Sequence, residues 1–288
     1  DKSSYRVHTS FYDGVLAVPN SSLEITEING DLFYTSDYGF SGDNLSGIFW
    51  GERLNAAVSS DLENQKVKFE GFIQPEKISQ LIPFAWEELM HGKIKAEGVL
   101  TIPLRDGHSG TKFRLSSNLE GVAIMLPEPI GKTKSQLSNL EILLDIDHSI
   151  EELRGSLGEE GSLEARFIDG VFDSGVFNYG RTIEPPPSGT MLFSGYLPHI
   201  LLESWTPLAD LLQKSNFNSE TWQSLFDLKF DSATLAGVTF SDVHARAERG
   251  DQSLNISFNS AWASGYLSIP DAEDRFPKLF LDNLDFGR

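Results

Sequence analysis

The stretch Lys93-Ile-Lys-Ala-Glu-Gly-Val-Leu-Thr-Ile102 alternates apolar residues with mostly polar ones at a period of two. Because successive side chains of a β-strand point to opposite faces, this pattern gives a strand one apolar face and one wetted face. The same alternation recurs in residues 112–119, 141–147, 163–167 and 254–259. Turn-forming residues rich in Gly and Asp separate such runs at 29–31, 105–107, 158–161 and 249–251. The sequence therefore predicts a mainly β fold of antiparallel strands that share one apolar face.

Two segments depart from this alternation and predict short helices. Residues 75–90 and 197–214 place apolar residues at helical spacing, and each contains a proline, Pro83 or Pro207, that should kink or split the helix. Two short helices cannot cover the apolar face of so many strands, so the sheet must curl on itself or accept another apolar body. Alternation alone favours the first option, an ordinary sandwich or closed barrel whose apolar face is core.

A short motif occurs three times, as a glycine, an apolar run and a closing proline, at residues 14–19, 121–127 and 265–270. Each copy precedes a further strand pattern, at 23–28, 140–146 and 279–284. The chain is thus predicted to contain slightly more than two copies of one β-rich unit, divided as 1–120, 121–264 and 265–288. Units of this kind stack edge to edge, so further repeats of the chain are expected at both ends.

The composition excludes several classes of function. The formal net charge is −19, from 23 basic and 42 acidic residues, whereas a protein that binds nucleic acid needs a basic surface. There are no cysteines, so disulfides, thiolate metal sites and cysteine nucleophiles are all excluded. The aromatic residues comprise 20 Phe against 5 Trp and 7 Tyr. Because Phe carries no polar group, this excess suits surfaces that are dry or contact something apolar.

Candidate catalytic and metal-binding residues do not form a specific motif. Asp145 and Asp147 share a strand face while His148 points away, so they are poor joint ligands and are interpreted as solvated strand residues. Ser194 lacks the glycine two positions earlier that a nucleophile elbow requires. We therefore expect no enzyme activity, no metal and no cofactor. A carbohydrate-active enzyme is a further hypothesis, supported only by unspecific carboxylates.

Several stretches resemble the YhdP/AsmA-like family of Gram-negative envelope proteins. One is Ser116-Ser-Asn-Leu-Glu-Gly-Val-Ala-Ile-Met-Leu-Pro-Glu-Pro-Ile-Gly-Lys132, which is similar to a family segment in which a strand leads into S-x-L-x-G-x-x-x-x-L-P-x-P-x-G-K. Residues 30–40, 226–240 and 261–270 are also similar to the family. The resemblance spans nearly the whole chain, and its motifs are structural turns and strands rather than catalytic residues.

The resemblance implies a long, curved antiparallel sheet that forms an open hydrophobic groove in the periplasm. It implies that the groove carries phospholipids between the inner and outer membranes, with their acyl chains as the bound partner. It also implies an inner-membrane anchor outside this sequence. The alternative is a structural segment that spans the periplasm and docks protein partners without carrying lipid.

The residues expected to line the groove are apolar, and most belong to the alternating segments. They are Ile94, Leu100, Ile102, Phe113, Leu115, Ile142, Leu144, Ile146, Leu163, Phe167, Phe193, Leu228, Phe230, Leu254, Ile256, Phe258 and Trp262. For any single one of them, packing in an ordinary core explains the pattern as well as contact with lipid does.

Overall fold

The computed structural model describes residues 5–17, 24–78, 86–104, 110–147, 150–205, 223–249, 253–270 and 278–284. Within these ranges the chain forms nineteen β-strands and very little helix. The strands are β1 (Arg6–Ala17), β2 (Glu24–Thr35), β3 (Gly39–Phe49), β4 (Glu52–Ser60), β5 (Asn64–Ile73), β6 (Met90–His91), β7 (Ile94–Pro103), β8 (Thr111–Ser117), β9 (Ala123–Ile124), β10 (Leu140–Asp147), β11 (Ile150–Leu157), β12 (Gly161–Ile168), β13 (Val171–Tyr179), β14 (Thr190–Leu201), β15 (Gln223–Leu235), β16 (Val238–Arg249), β17 (Ser253–Asn259), β18 (Ala263–Pro270) and β19 (Lys278–Leu284).

Seventeen of these strands form a single sheet. Each strand pairs with the next along the chain, from β1 through β5, then β7, β8 and β10, and onward to β19. The short strands β6 and β9 pair with each other in a separate two-stranded sheet. In the part of the chain that the structure describes, β1 and β19 do not pair with each other, so the sheet is open. The predicted mainly β fold with one long open sheet is confirmed.

The sheet is antiparallel except around β14, which runs parallel to both β13 and β15. The sequence predicted antiparallel strands throughout, and parallel neighbours need connections that run back along the sheet. Residues 180–189 make the first of these connections. This connection lies against β13 and β14, because Asn178 Nδ2 donates to the carbonyl of Ile183 at 3.3 Å and Arg181 Nε donates to Ser194 Oγ at 2.8 Å.

Within the described residues, the first predicted helix is helical near both of its ends. Helix α1 covers Pro75–Ile78 and helix α2 covers Trp86–Leu89. Residues 79–85, which include Pro83, lie outside the described residues.

The second predicted helix, at residues 197–214, is wrong at its start. Strand β14 continues to Leu201 and is followed by a single 3₁₀ turn at Leu202–Trp205; residues 206–214 lie outside the described part of the chain. Leu197 and Ile200 are both buried while Pro198 and His199 between them are exposed. That spacing of three imitates a helix, although the backbone is paired with β15 throughout this stretch.

The predicted turns have mixed outcomes. Residues 158–161 form the turn between β11 and β12, as predicted. Residues 29–31 are not a turn, because Gly30 lies inside β2 at an irregularity in its pairing with β3. Gly30 has a φ of 136°, and a Cβ there would lie 2.7 Å from Leu45 Cδ2. Residues 105–107 and 250–251 lie outside the described ranges.

Three tight hairpins were not predicted. Trp50-Gly51, Asp169-Gly170 and Ala236-Gly237 each form a two-residue turn with positive φ at both positions. This geometry matches the right-handed twist of the flanking strands, and glycine at the second position adopts it without strain.

The apolar face of the sheet is its concave face. Phe49, Phe69 and Phe113 belong to β3, β5 and β8 and lie on this face. Four strand spacings separate β3 from β8, about 19 Å in a flat sheet, yet the rings of Phe49 and Phe113 are 6.1 Å apart. The ring of Phe69 lies 5.5 Å from Phe49 and 5.9 Å from Phe113. The sheet therefore curls tightly enough for its own side chains to meet across the concave face.

The three copies of the glycine-to-proline motif occupy different environments. Residues 14–17 lie in β1 and residues 265–270 in β18, whereas residues 121–127 contain only the two-residue strand β9. The main sheet continues across both proposed unit boundaries, through the pairing of β8 with β10 and through β18 itself. The division into units at 120 and 264 stays a prediction.

Candidate functional site

A row of apolar residues crosses the sheet from strand to strand. Each member lies directly opposite the next across a hydrogen-bonded strand pair. This row, here called the central row, consists of Leu45, Ala56, Phe69, Gly98, Leu115, Ile142, Gly155, Leu163, Phe177, Phe193, Phe226, Ala247, Ile256, Leu267 and Leu279. It extends over fifteen strands, or about 67 Å measured along the sheet, and no polar side chain interrupts it.

The chain's own residues cover part of the central row. Leu115 and Ile142 are 0% and 1% exposed, and Phe69 and Leu163 are 6% exposed. These residues belong to one hydrophobic core that extends from β2 to β14. The stretch of the row from β5 to β12 is called the sealed section below. It behaves as an ordinary protein interior.

Two chain segments that leave the main sheet help to cover this core. Strand β6, which follows α2, pairs with β9 from the connection between β8 and β10. The amide of Met125 also donates to the carbonyl of Leu89 at 2.7 Å. Leu119 and Val122, from the same connection, are completely buried in the core. We call residues 118–139 the insert.

Lys132 holds the insert in its folded form. Its ammonium group donates to the carbonyl of Leu119 at 2.9 Å and also to the carbonyl of Val122. Burial lowers the pKa of Lys132, because the charged form is partly removed from water. Both contacts are to backbone oxygens within the insert, so the role of this lysine is structural.

The central row is open to solvent beyond the sealed section. From Phe177 to Leu267 its members are half-buried, and Leu279 on the edge strand is 59% exposed. Phe193 and Phe226 stack with their ring centroids 4.8 Å apart and their planes inclined by 11°. This stretch, from β13 to β19, is called the open section. It is a continuous apolar surface that the described residues do not bury.

An apolar chamber lies at the junction of the sealed and open sections. Its lining includes Phe193 and Phe226 of the central row, Ile130 of the insert, and Leu197 and Trp205. All of the surface that lines it is apolar, and it holds about 90 Å³ of free space. We call it the C-terminal chamber.

A second apolar chamber lies at the other end of the sheet. Residues of β1 to β5 and of β7 surround about 280 Å³ of free space. Its lining includes Leu16, Ile28, Ala56 and Val67. Of the residues predicted to line a groove, it contains only Ile102. The sequence analysis missed this N-terminal chamber because the pairing of β1 to β3 contains bulges that break the period-two pattern.

The structure divides the predicted groove residues into two groups. Buried in the protein are Ile94, Leu100, Phe113, Leu115, Ile142, Leu144, Ile146, Leu163, Phe230 and Leu254. Half-buried are Ile102, Phe167, Phe193, Leu228, Ile256, Phe258 and Trp262. Trp262 differs from the others because it lies in the turn between β17 and β18 and stacks on Phe240, with the ring centroids 4.5 Å apart. On β14 to β17, the half-buried members of this set keep part of their apolar surface outside the core.

The opposite face of the sheet is polar. Lys112 lies 3.9 Å from Asp145 and Arg114 lies 3.2 Å from Glu141, with all four side chains at least 40% exposed. Such exposed pairs contribute little to stability. Asp145 is thus a solvated strand residue, as predicted, while His148 lies outside the described part of the chain. Among the described residues, no cluster of three or more His, Asp or Glu side chains could hold a metal ion.

A half-buried carboxylate on the polar face joins the first crossover connection to the sheet. Asp227 on β15 lies 3.2 Å from Arg181, 2.9 Å from His244 and 3.2 Å from Arg246. Burial acts to raise the pKa of Asp227, but the hydrogen bond from His244 and the nearby arginines outweigh it and lower the pKa. The carboxylate is thus held ionised as the centre of an ion-pair cluster that fixes residues 180–189.

In the described ranges no helix has the length and apolarity needed to cross a bilayer. No curated protein and no solved structure matches the chain. The model of a protein family described as YhdP protein matches residues 1–287. Because the match covers nearly the whole sequence, the chain belongs to the YhdP family.

Proposed function

We propose that this chain is a lipid-binding segment of an envelope protein and that its apolar face holds phospholipid acyl chains on their way between the inner and outer membranes. At the level of the family, membership in YhdP suggests lipid transport associated with the envelope. The observation that carries the proposal is the open section, in which an apolar row remains half-exposed from Phe177 to Leu267.

The physical chemistry of the open section suits a hydrocarbon ligand. Each methylene group removed from water contributes about 0.8 kcal/mol, so a dozen would contribute roughly 10 kcal/mol before ordering costs. The attraction is non-directional, so a chain can shift along the row without breaking specific bonds. The C-terminal chamber adds an apolar recess beside Phe193 and Phe226 into which the end of a chain can insert.

The remaining parts of the proposal rest on the family resemblance. We place the segment in the periplasm, anchored to the inner membrane by a part of the protein outside this sequence. Further repeats would continue the sheet at its two edge strands, β1 and β19. Holding and moving a lipid requires no bond to be made or broken, so the proposal assigns no catalytic residue, metal or cofactor.

Photo-crosslinking at two neighbouring positions tests the proposal. Phe258 lies on the apolar face between Ala245 and Gly265, and Ser257 lies on the opposite face of the same strand. A photoreactive residue at 258 should capture phospholipid from membranes, whereas one at 257 should not. Organic extracts of the purified protein should also contain phospholipid by mass spectrometry. Equal capture at both positions, or none at either, would favour the alternative of a structural segment that carries no lipid.

A pair of charge substitutions tests whether the open section matters for transport. Ile256→Lys places an ammonium group in the central row, where its desolvation opposes the passage of hydrocarbon. Ser257→Lys places the same group on the wetted face. Lipid transfer between membranes should fall in the first variant and not in the second. If both variants transfer lipid as the parent does, the row is not a path for lipid.

A further inference from the structure

We infer that the insert, residues 118–139, is a lid that swings off the sealed section as one body, and that its opening connects the apolar surfaces on either side of that section. The motion itself is a property of the fold, whereas its use as a gate for lipid rests on the proposed function. Three features of the insert support the motion: its attachment to the sheet, its internal bracing and its position between two apolar spaces.

The insert leaves and rejoins the sheet at one point. Strands β8 and β10 pair directly, with Ser117 opposite Leu140, and the amide of Ser138 donates to the carbonyl of Asn118 at 3.0 Å. The two ends of the insert are therefore held side by side, and the pairing of β8 with β10 is complete without the rest of it. The insert can move away from this base without breaking a strand pair of the main sheet.

Hydrogen bonds within the insert brace it as one body. The backbone groups of Ile124 and Lys132 bond to each other in both directions, at 2.8 and 3.1 Å. The ammonium group of Lys132 adds its bonds to the carbonyls of Leu119 and Val122. These bonds join parts of the insert to one another and not to the sheet, so all of them can persist while the insert moves.

Beyond its base, the insert is tied by hydrogen bonds to the rest of the described chain at two places. Strand β9 pairs with the two-residue strand β6, and the neighbouring amide of Met125 donates to the carbonyl of Leu89 at 2.7 Å. On the other side, the hydroxyl of Tyr179 donates to the carbonyl of Pro129 at 3.2 Å. Packing of apolar side chains such as Val122, which is 0% exposed, completes the attachment.

The insert forms a partition between the C-terminal chamber and the sealed section. Ile124 and Leu126 line that chamber, and the same two residues pack in or against the core of the sealed section. On the far side of this core, Val67 lines the N-terminal chamber and belongs to the core as well. Raising the insert therefore opens the C-terminal chamber towards Leu115 and Ile142, the members of the central row that it helps to bury.

The closed position is the resting state in water. Opening exposes the apolar side chains of the insert together with the surface beneath them, and the hydrophobic effect opposes this. Hydrocarbon beneath the raised insert replaces the lost apolar contacts, and it touches that surface only in the open state. Because a ligand favours the state to which it binds better, lipid stabilises the open position.

Amide hydrogen exchange of this chain, measured by NMR without lipid, tests the motion. A swinging lid breaks the bond from Met125 to Leu89 and keeps those between Ile124 and Lys132. The protection factor of the Met125 amide should therefore be lower by about ten-fold or more than those of Ile124 and Lys132. Equal protection at these three amides, below that of Leu144 in β10, would show unravelling instead. Protection of Met125 equal to that of Leu144 would show that the insert opens only with the sheet. Either result overturns the lid.

A disulfide between β6 and β9 tests the gate, in a chain that contains no cysteine of its own. His91 and Ala123 lie directly opposite each other, one exposed and one half-buried, so His91→Cys with Ala123→Cys locks the insert from outside the core. The control is Ser116→Cys with Glu141→Cys, an opposed pair on β8 and β10 with the same exposures, which leaves the insert free. Opposed antiparallel residues have Cα atoms about 4.5–5.5 Å apart, which a disulfide spans.

The readout is lipid capture on both sides of the lid, in cells that make the envelope protein carrying this segment. Photoreactive residues at Leu16, in the N-terminal chamber, and at Phe258, in the open section, report on the two sides. We expect capture at both in the parent and in the control pair. The locked insert should reduce capture by about ten-fold or more at the reporter farther from the source of lipid and leave the other unchanged. A reducing agent should restore the lost capture.

The remaining outcomes separate the gate from the proposed function. Undiminished capture at both reporters with the disulfide formed, or an equal loss in the control pair, overturns the gate and leaves the proposed function standing. Capture at a single reporter in the parent shows that lipid does not cross the sealed section, which also overturns the gate. Absence of capture at both in the parent overturns the proposed function and the gate together. If circular dichroism shows that the first pair fails to fold, Met90→Cys with Ile124→Cys joins the neighbouring opposed positions.

Discussion

Truncation of one phenylalanine in the sealed section and one in the open section should have opposite effects. Phe113→Ala should destabilise the fold and leave bound lipid nearly unchanged. Phe258→Ala should cost little stability and reduce bound lipid. Both residues are Phe on the same apolar face, so the substitutions differ in what surrounds the ring rather than in chemistry.

The expected magnitudes follow from burial. Phe113 is 3% exposed and its ring meets those of Phe49 and Phe69, so its loss leaves a cavity and should cost about 3–5 kcal/mol of unfolding free energy. Phe258 is half-buried between Ala245 and Gly265. Water can reach the space that its ring vacates, so about 1–2 kcal/mol is expected.

Urea unfolding followed by circular dichroism measures the first effect, and mass spectrometry of solvent extracts measures the second. Because bound lipid would stabilise the folded state, the unfolding is measured on protein stripped of lipid. Equal destabilisation by the two substitutions would show that the open section is packed as a core. Loss of lipid in a folded Phe113→Ala variant would show that the sealed section opens in solution. Either result would refute the division of the face into two sections.

Three further predictions test individual interactions. Arg181→Ala should lower the unfolding free energy by about 1.5–3 kcal/mol because its side chain is largely buried against Asp227, whereas exposed Arg246→Ala should lower it by about 0–1 kcal/mol; equal costs in urea unfolding would contradict this. Ala236→Asn should raise the unfolding free energy by about 0.5–1 kcal/mol, since Ala236 holds a φ of 49° in a two-residue turn that favours Asn. An unchanged unfolding midpoint would count against backbone strain at Ala236. Burial raises the pKa of Glu151, so the folded state gains stability as the pH falls through that raised pKa. Glu151→Gln should therefore be more stable than the parent at neutral pH, and the two proteins should become similar in stability near pH 4, about the ordinary pKa of Glu. Unfolding midpoints measured at the two pH values would show this.

The alternation in the sequence predicted the faces of the strands well. Ile142, Leu144 and Ile146 are all buried, while Glu141 and Asp145 on the other parity pair with exposed cations. Face assignment is a local property, because it follows from the period-two geometry of each strand. For the same reason, the assignment of side chains to faces stays correct even where the turns and strand ends were predicted wrongly.

Features that depend on distant contacts were not predictable in this way. The parallel course of β14 depends on the crossover connection held by Arg181, and the extended conformation of Leu197 depends on pairing with Phe230. Neither partner is adjacent in sequence. The curl that brings Phe49 to Phe113 is also global, since it accumulates over several strands. A pattern of faces therefore identified an apolar surface without indicating where the chain covers it.

Under the proposed function, the sealed section separates the holding of a lipid from its passage along the sheet. Each chamber already has free space in the described structure. Passage from one to the other requires Leu115 and Ile142 to become accessible, and these are buried by the insert and by the curl of the sheet. Packed cores repack between discrete arrangements rather than deform continuously, so passage needs a second arrangement of the insert. An equilibrium binding assay therefore tests the chambers, and only a flux assay tests the path between them.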